Sequence, residues 1–292
     1  MRVHVLRSPT GGGRRSRAAT TDFIAALRTA GHDIIEVTGD TAEASSDMLR
    51  QVVEAGDAER VLVCGGDGLV HLAVQVLAQS DVPMALCPSG TGNDFAAALG
   101  ILTPDVRAVL GPPRPVDLMM VTNRAGSVSW VASIAIAGFP AAINKRANRL
   151  RLPLGSQIYT VAAALELPRF RRLQLSLRLD RDQVQTDSAM LAIGNTSLFG
   201  GGMLACPDAL PDDGLLHLTS IEDVGRLGIL RHLAARSGGS ADRPEVLRRT
   251  ATRIDLHDDG VEMWGDGEPL GQTPLTFEVV PRALQVTSVE GA

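Results

Sequence analysis

The run Val61-Leu62-Val63-Cys64, followed by Gly65-Gly66-Asp67-Gly68 and then Leu69-Val70-His71-Leu72-Ala73-Val74-Gln75-Val76-Leu77, constrains the fold more than any other stretch. Four apolar residues in a row, two of them valine, predict a strand buried on both faces. Beyond the glycines, apolar residues recur at Leu69, Leu72, Ala73, Val76 and Leu77, which is helical spacing. A strand that feeds a helix through three glycines leaves backbone N–H groups unobstructed at the helix start, a concavity suited to phosphate. A plain strand-to-helix turn is the simpler reading, with one glycine and Asp67 as a cap. Three glycines around an acid exceed that need.

The same texture surrounds this unit. Val3 to Leu6 reads as a strand and Ser8-Pro9-Thr10-Gly11-Gly12-Gly13 as a second glycine loop. A helix is expected from about Ser16, with Ala19, Phe23, Leu27 and Ala30 on one face and Gly31 as its stop. Ile34 to Val37 makes another strand ending at Thr38-Gly39. Asp40 with Glu43 forms a capping pair for a helix to Ala55. Pro83 to Cys87 is the next strand, running into Pro88-Ser89-Gly90-Thr91-Gly92-Asn93-Asp94 and a helix that ends at Gly100. Strands alternating with helices predict an α/β N-terminal domain with a doubly wound parallel sheet. In such a sheet the loops after the strands gather on one edge, so Thr38 and the three glycine loops are expected to face one crevice.

From Val116 the pattern changes to short strands separated by turn residues, among them Val116–Val121, Ser127–Ala137, Leu173–Leu179, Ala189–Gly194, Leu215–Ile221, Thr252–His257, Gly260–Trp264, Leu275–Val280 and Leu284–Ser288. Alternation of period two is plain in Leu175-Ser176-Leu177-Arg178-Leu179. Helical patterns interrupt near Ser156–Leu167 and Asp223–Ala235. The expectation is a mostly antiparallel β-sandwich second domain. Residues 1–115 form the first domain, 116–283 the second, and 284–292 a C-terminal strand returning to the first. Pro112-Pro113-Arg114-Pro115 reads as the linker.

The 292 residues carry a formal net charge of −5, which argues against general nucleic-acid binding, and no aromatic-studded basic stripe offsets it. Arginines cluster locally at Arg14 to Arg17, Arg146 to Arg151, Arg169 to Arg172 and Arg248-Arg249. They read either as solvated surface or as contacts to anionic lipid head groups. Cys64, Cys87 and Cys206 lack metal-ligand spacing and read as small core residues. The longest apolar stretch, Val131 to Ile143, is too short to span a bilayer. No secretory signal opens the chain, so a cytoplasmic protein without a transmembrane segment is expected.

Taken in order, Gly65-Gly66-Asp67-Gly68, Pro88-x-Gly90-Thr91-x-Asn93-Asp94, Val116-Asp117, Gly200-Gly201-Gly202 through Pro207 to Asp213-Gly214, and Asp266-Gly267-Glu268-Pro269-Leu270 form a set. In these the chain resembles the diacylglycerol kinase catalytic family, which includes bacterial lipid kinases and sphingosine kinases and shares its first motif with NAD kinases. The resemblance implies ATP-dependent phosphorylation of the hydroxyl of diacylglycerol or a similar membrane lipid, reached by peripheral contact with the inner face of the membrane. It implies that Thr38, Gly65, Gly66, Asp67, Gly68, Leu69, Val70, His71, Gly90, Thr91 and Asn93 line the nucleotide. Glu268 would take the proton from the attacking hydroxyl, with Asp266 and Asp67 as further catalytic acids. A structural Mg2+ would sit at Asp213 and the carbonyls of Leu210 and Leu215. A homodimer is one assembly left open.

Phosphoryl transfer needs charge neutralisation, in-line placement and a base, and these residues supply each. Some positions depart from the family pattern. Leu69 follows Gly-Asp-Gly where threonine is usual, Leu72 replaces an acid, and Ser8 stands for asparagine. Ala97 replaces arginine, and Pro140 stands where an acid often follows Gly138-Phe139. These departures keep a catalytically weak or silent nucleotide- or lipid-binding relative in play, and the Gly65-Gly66-Asp67-Gly68 motif shared with NAD kinases keeps a soluble-substrate kinase of that type as a second alternative.

Overall fold

Strand β1 (Arg2–Arg7) lies between β2 (Asp33–Glu36) and β3 (Arg60–Gly65), and β3 pairs onward with β4 (Met84–Pro88), all parallel. The computed structural model describes residues 1–7, 14–150, 155, 157–234 and 243–289. Two units partition the chain, Met1–Leu118 with Pro281–Ala292, and Met119–Val280. In the first, helices α1 (Arg14–Thr29), α2 (Ala42–Glu54), α3 (Asp67–Leu77), α4 (Asp94–Ala98) and α5 (Val106–Leu110) alternate with the strands. One layer of its core joins Val3, Val5, Leu62, Cys64, Ala85 and Cys87 from the sheet to Ile24, Leu27 and Val109 from the helices. Leu27 is fully buried there, so its truncation to alanine would cost about 2–5 kcal/mol.

In the second unit, β5 (Pro113–Asn123) enters and pairs with β6 (Val128–Val131), followed by β7 (Ile134–Gly138), α6 (Phe139–Arg149) and α7 (Gln157–Glu166). Next come β8 (Leu173–Leu179), β9 (Asp182–Gly194), the small hairpin of β10 (Leu198–Phe199) and β11 (Met203–Leu204), β12 (Leu216–Glu222) and α8 (Arg226–Ala234). The rest is β13 (Val246–Ala251), β14 (Arg253–Leu256), β15 (Glu262–Gly265), β16 (Glu268–Gln272) and β17 (Leu275–Thr287). Pairing is antiparallel throughout β16-β15-β7-β9-β8-β14-β17, with β12 between β9 and β13. Strand β9 shows why this is a sandwich with an outer helical layer. Its Leu191 and Ile193 enter the core between strands, while Ala189, Met190 and Ala192 pack with residues of α6, α7 and α8. A strand covered on both faces needs the unbroken apolar run seen at Ala189–Ile193.

The expected α/β unit and antiparallel sandwich are therefore both present, with local corrections. The N-cap of α2 is Thr41, whose hydroxyl accepts from Ala44 N at 3.1 Å, rather than Asp40. The stretch Pro112 to Pro115 is no linker, because Pro113 onward is strand β5. The single strand expected over Ser127–Ala137 breaks into β6 and β7 at Ala132-Ser133. Two strands expected at the end of the chain are one, β17. Helix α6 and strand β13 were not expected at all. Pro140 lies in the first turn of α6, where proline fits because the N–H it lacks has no helical acceptor. The departure from the family pattern there thus has a structural basis. Ser8 and its glycine loop lie outside the described residues.

Candidate active site

Two of the glycine loops are in backbone contact. A Cβ built on Gly90 would lie 2.4 Å from Gly66 Cα, and one on Gly66 would lie 3.0 Å from Gly90 Cα. Only glycine lets the turns after β3 and β4 approach so closely. Gly65 is filled differently: Leu69 folds over it, with its Cδ2 2.7 Å from where a Cβ would stand. Asn93 sits in the left-handed region at φ 58° and clasps Gly90, accepting from its N–H and donating to its carbonyl, both at 3.0 Å.

Asp67 binds these loops together. Its Oδ2 accepts from Asn93 N and its Oδ1 from Asp94 N, each at 2.8 Å, across more than 25 positions of sequence. The carboxylate therefore braces the start of α4. The N-cap of α3 is Gly66, which has no side chain to cap it, and Leu69 N and Val70 N both donate to Gly66 O. Gly68 and Thr91 are exposed, His71 is half-buried on α3, and Val70 is turned into the core. Thr38, beyond β2, accepts from Arg7 N at 3.1 Å through its hydroxyl. Behind the loops, Cys64 and Cys87 face each other on β3 and β4. A hydrogen bond between the two thiols holds Cys87 below the usual thiol range and, with burial, pushes Cys64 well above it.

The second constellation lies in the second unit. Asp266 and Gly267 form the turn between β15 and β16, with φ of 51° and 90°, and Gly265 faces Glu268 across it. Asp266 does more than turn. Its Oδ2 and Oδ1 accept from Ala132 N at 2.7 Å and Ser133 N at 2.8 Å, the residues between β6 and β7. From α6, Asn144 Nδ2 donates to Gly267 O at 3.1 Å and Asn148 Nδ2 to the same oxygen at 3.5 Å. A turn held from both sides presents Glu268 exposed at the start of β16.

The expected metal position is partly engaged. Asp213 Oδ1 accepts from Leu215 N at 3.0 Å, closing a local turn before Gly214, and Oδ2 lies 2.8 Å from His217 Nε2. Each carboxylate oxygen thus has one protein partner and keeps a further lone pair, so Asp213 together with the carbonyls of Leu210 and Leu215 retains the oxygen donors a magnesium ion takes. Leu210 is exposed. No three His, Cys, Asp or Glu side chains converge on a metal position among the described residues. Burial pushes the thiol of Cys206 up to about 12, so it is no thiolate nucleophile at neutral pH.

A family model described as the diacylglycerol kinase catalytic domain matches residues 2–121, and one described as the YegS C-terminal NAD kinase beta sandwich-like domain matches residues 133–288. The chain belongs to the diacylglycerol kinase family of lipid kinases. A Mycobacterium tuberculosis (strain H37Rv) protein named "Diacylglycerol kinase" is 34% identical over 292 residues, covering 98% of this chain and 94% of its own. A Shewanella frigidimarina protein named "Probable lipid kinase YegS-like" is 30% identical, with 96% and 92% covered. The crystal structure of a Bacillus anthracis diacylglycerol kinase has the same fold, at TM-score 0.72, 17% identity and 98% and 96% coverage. As a lipid kinase of this family the chain is a phosphotransferase. No helix among its described residues is long and apolar enough to cross a membrane.

The structure brings Gly65, Gly66, Asp67, Gly90 and Asn93 into one constellation and Asp266 and Glu268 into another. Sequence reasoning missed the grip of Asn144 and Asn148 on Gly267. Their i,i+4 spacing marks one face of a helix, but nothing in the sequence ties that face to a carbonyl about 120 positions away.

Proposed function

We propose that this lipid kinase transfers the γ-phosphoryl group of ATP to the hydroxyl of diacylglycerol or a similar membrane lipid alcohol. The observation that carries the reading is the start of α3. Its N-cap is a glycine without a side-chain cap, beside the Gly66–Gly90 contact that a single Cβ would fill. Such a helix start offers N–H donors and a favourable dipole to phosphate oxygens. Gly65, Gly66, Gly68, Leu69 and His71, with Thr91 and Thr38, line the nucleotide, and Asp67 holds the loops in shape. Magnesium accompanies the nucleotide and neutralises charge on its phosphates.

Glu268 is the base. Its carboxylate takes the proton of the lipid hydroxyl as that oxygen attacks the γ-phosphorus, and ADP leaves. Asp266 stands beside it and positions the turn, its two oxygens accepting from Ala132 N and Ser133 N. Access to the lipid is peripheral, with arginines meeting anionic head groups. Of the clusters, Arg146, Arg172 and Arg248 pair with Glu166, Asp187 with Asp223, and Asp208.

Labelled-ATP transfer into a total lipid extract, with products identified by mass, tests the assignment. A phosphorylated neutral lipid is the expected product. Label appearing only when NAD is supplied would replace the reading with a soluble-substrate kinase. ATP binding without any labelled product would make the protein a silent relative.

A further inference from the structure

Glu268 opens β16, and that strand by itself holds the residue weakly. It lies at the edge of its sheet, paired to β15 across a register shift at Met263/Trp264. Four of its five residues are exposed, so little packing fixes it. Gly267, just before it, has φ 90° and stands in open space, where a Cβ would meet nothing within 4 Å. A glycine with no neighbour to confine it has a broad range of torsions. Without an outside restraint, the turn would carry Glu268 through many positions.

Helix α6 supplies the restraint. Asn144 Nδ2 donates to Gly267 O at 3.1 Å, and Asn148 Nδ2 reaches the same oxygen at 3.5 Å. The Gly267 carbonyl and the Glu268 N–H belong to one planar peptide, so holding the carbonyl fixes the plane from which Glu268 projects. The helix is a firm anchor. It starts where Gly138 presses on Ala189 O, and its Phe139, Ala141, Ile143 and Ala147 are buried in one cluster with Ala189, Met190 and Ala192 of β9. Lys145 adds a second tie, to Glu262 on the strand leading into the turn.

Asn144 is only 6% exposed. Burying an amide on a helix face shared with Ile143 and Ala147 costs free energy unless the amide is hydrogen-bonded, and packing alone would be met by leucine. What asparagine adds there is the donor to the turn. Asp266 acts on a different part of the same turn, accepting from Ala132 N and Ser133 N, so it fixes the first residue while the asparagines fix the last peptide. We propose that Asn144, assisted by Asn148, is a positioning residue for phosphoryl transfer: by holding Gly267 O it sets the place at which the Glu268 carboxylate meets the acceptor hydroxyl. This inference rests on Glu268 being the base.

The test uses the full chain, labelled ATP and the total lipid extract, with turnover counted per folded molecule from urea curves. Asn144→Leu keeps the side-chain volume and removes the donor. It should lower kcat by about 10- to 100-fold, the scale of a misplacement of about 1 Å, and leave the KM for ATP within about twofold. The Glu268 amide should exchange its hydrogen at least about threefold faster. Asn148→Ala, at an exposed position with the longer bond, should show the same pattern at about two- to fivefold, and it carries the test if Asn144→Leu does not fold. The decisive arm is the Glu268→Gln background. There Asn144→Leu should cost less than about twofold more, because residues that act as a unit are not additive. A full further loss in that background would mean that Asn144 acts on the fold at large, and it overturns the proposal. So does native kcat in Asn144→Leu (or in Asn148→Ala, should the first not fold), and so does unchanged amide exchange. If Glu268→Gln itself turns over at the native rate, the base assignment has failed and the role of Asn144 in transfer falls with it; faster exchange in Asn144→Leu tells that case apart from a turn that Asn144 does not hold.

Discussion

Replacing Asp67 with asparagine separates a brace from a metal ligand. In the structure the carboxylate accepts two backbone N–H bonds at 2.8 Å, from Asn93 and Asp94. Hydrogen bonds to a charged acceptor contribute about 1.5–3 kcal/mol each, so the pair links the loops by about 3–6 kcal/mol. Asparagine keeps one acceptor, now neutral and worth about 1 kcal/mol, and turns an NH2 group toward the other donor. Because Asp67 is half-buried, water recovers part of the difference, leaving a loss of about 2–3 kcal/mol. A loop arrangement that is marginal without its brace passes this loss to nucleotide affinity through its competent fraction. The expected result is up to about 30- to 150-fold weaker binding of a non-hydrolysable ATP analogue, at 1.4 kcal/mol per tenfold. Calorimetry across a magnesium series reads it, with urea unfolding as the control for the fold. Binding equal to the native protein refutes the brace. A defect that disappears as magnesium is raised would make Asp67 a ligand of the nucleotide's ion instead.

Glu268→Gln should lower turnover by about 10²- to 10⁴-fold while leaving ATP affinity and the urea midpoint unchanged; a loss of ATP binding would move Glu268 to the nucleotide. Asp266→Ala, two positions away, should behave in the opposite way. It orphans the N–H groups of the buried residues Ala132 and Ser133, so the urea midpoint should drop by the equivalent of about 2–4 kcal/mol, and an unchanged midpoint contradicts the positioning role. Asp255 gives a pH signature. Burial opposes its ionisation, but hydrogen bonds from Arg253, Thr276 and Arg178 overcome this and hold its carboxyl well below the usual range. A depressed pKa adds stability above the unfolded value of about 3.9 that is lost as pH falls below it. Asp255→Asn should therefore be clearly less stable at pH 7, with the gap to the native protein closing below about pH 4; a gap constant down to pH 3 rules this out.

What the sequence made legible depended on range. The β3–loop–α3 unit was readable because an apolar run, glycines and a 3.6-residue period are all local signals. The brace of Asp67 was not, since its partners sit at Asn93 and Asp94. Asp40 and Thr41 are both good capping residues, and the choice fell to packing: a Cβ on Gly39 would stand 2.7 Å from Ala44 Cβ, and Gly39 N donates to Ser45 Oγ at 3.0 Å. The break at Ala132-Ser133 had no local cause either, because the carboxylate that takes those N–H groups lies over 130 positions downstream. Helix α6 was hidden by Gly138-Phe139-Pro140, which reads as a stop when its role as a helix opening is not known. Gly138 has φ 83° and its backbone leaves no room for a Cβ, which would lie 2.6 Å from Ala189 O.

Strands β5 and β17 each run from one unit into the other, at Leu118–Met119 and Val280–Pro281. The second unit is thus a parenthesis inside the first, and this sets an order of events during synthesis. Emergence of the first 118 residues does not complete their sheet, for Val286 must still pair beside Met84 and Ala283 O must meet Gln79 N. Buried Asp117 likewise waits for Arg282 N, which reaches its Oδ1 at 2.8 Å. Until the ribosome has passed that point, β4 is an open edge with a charged carboxylate in an unfinished core. A nascent chain of this protein should therefore stay protease-sensitive in its N-terminal region through most of translation, while the inserted sandwich can close on itself first.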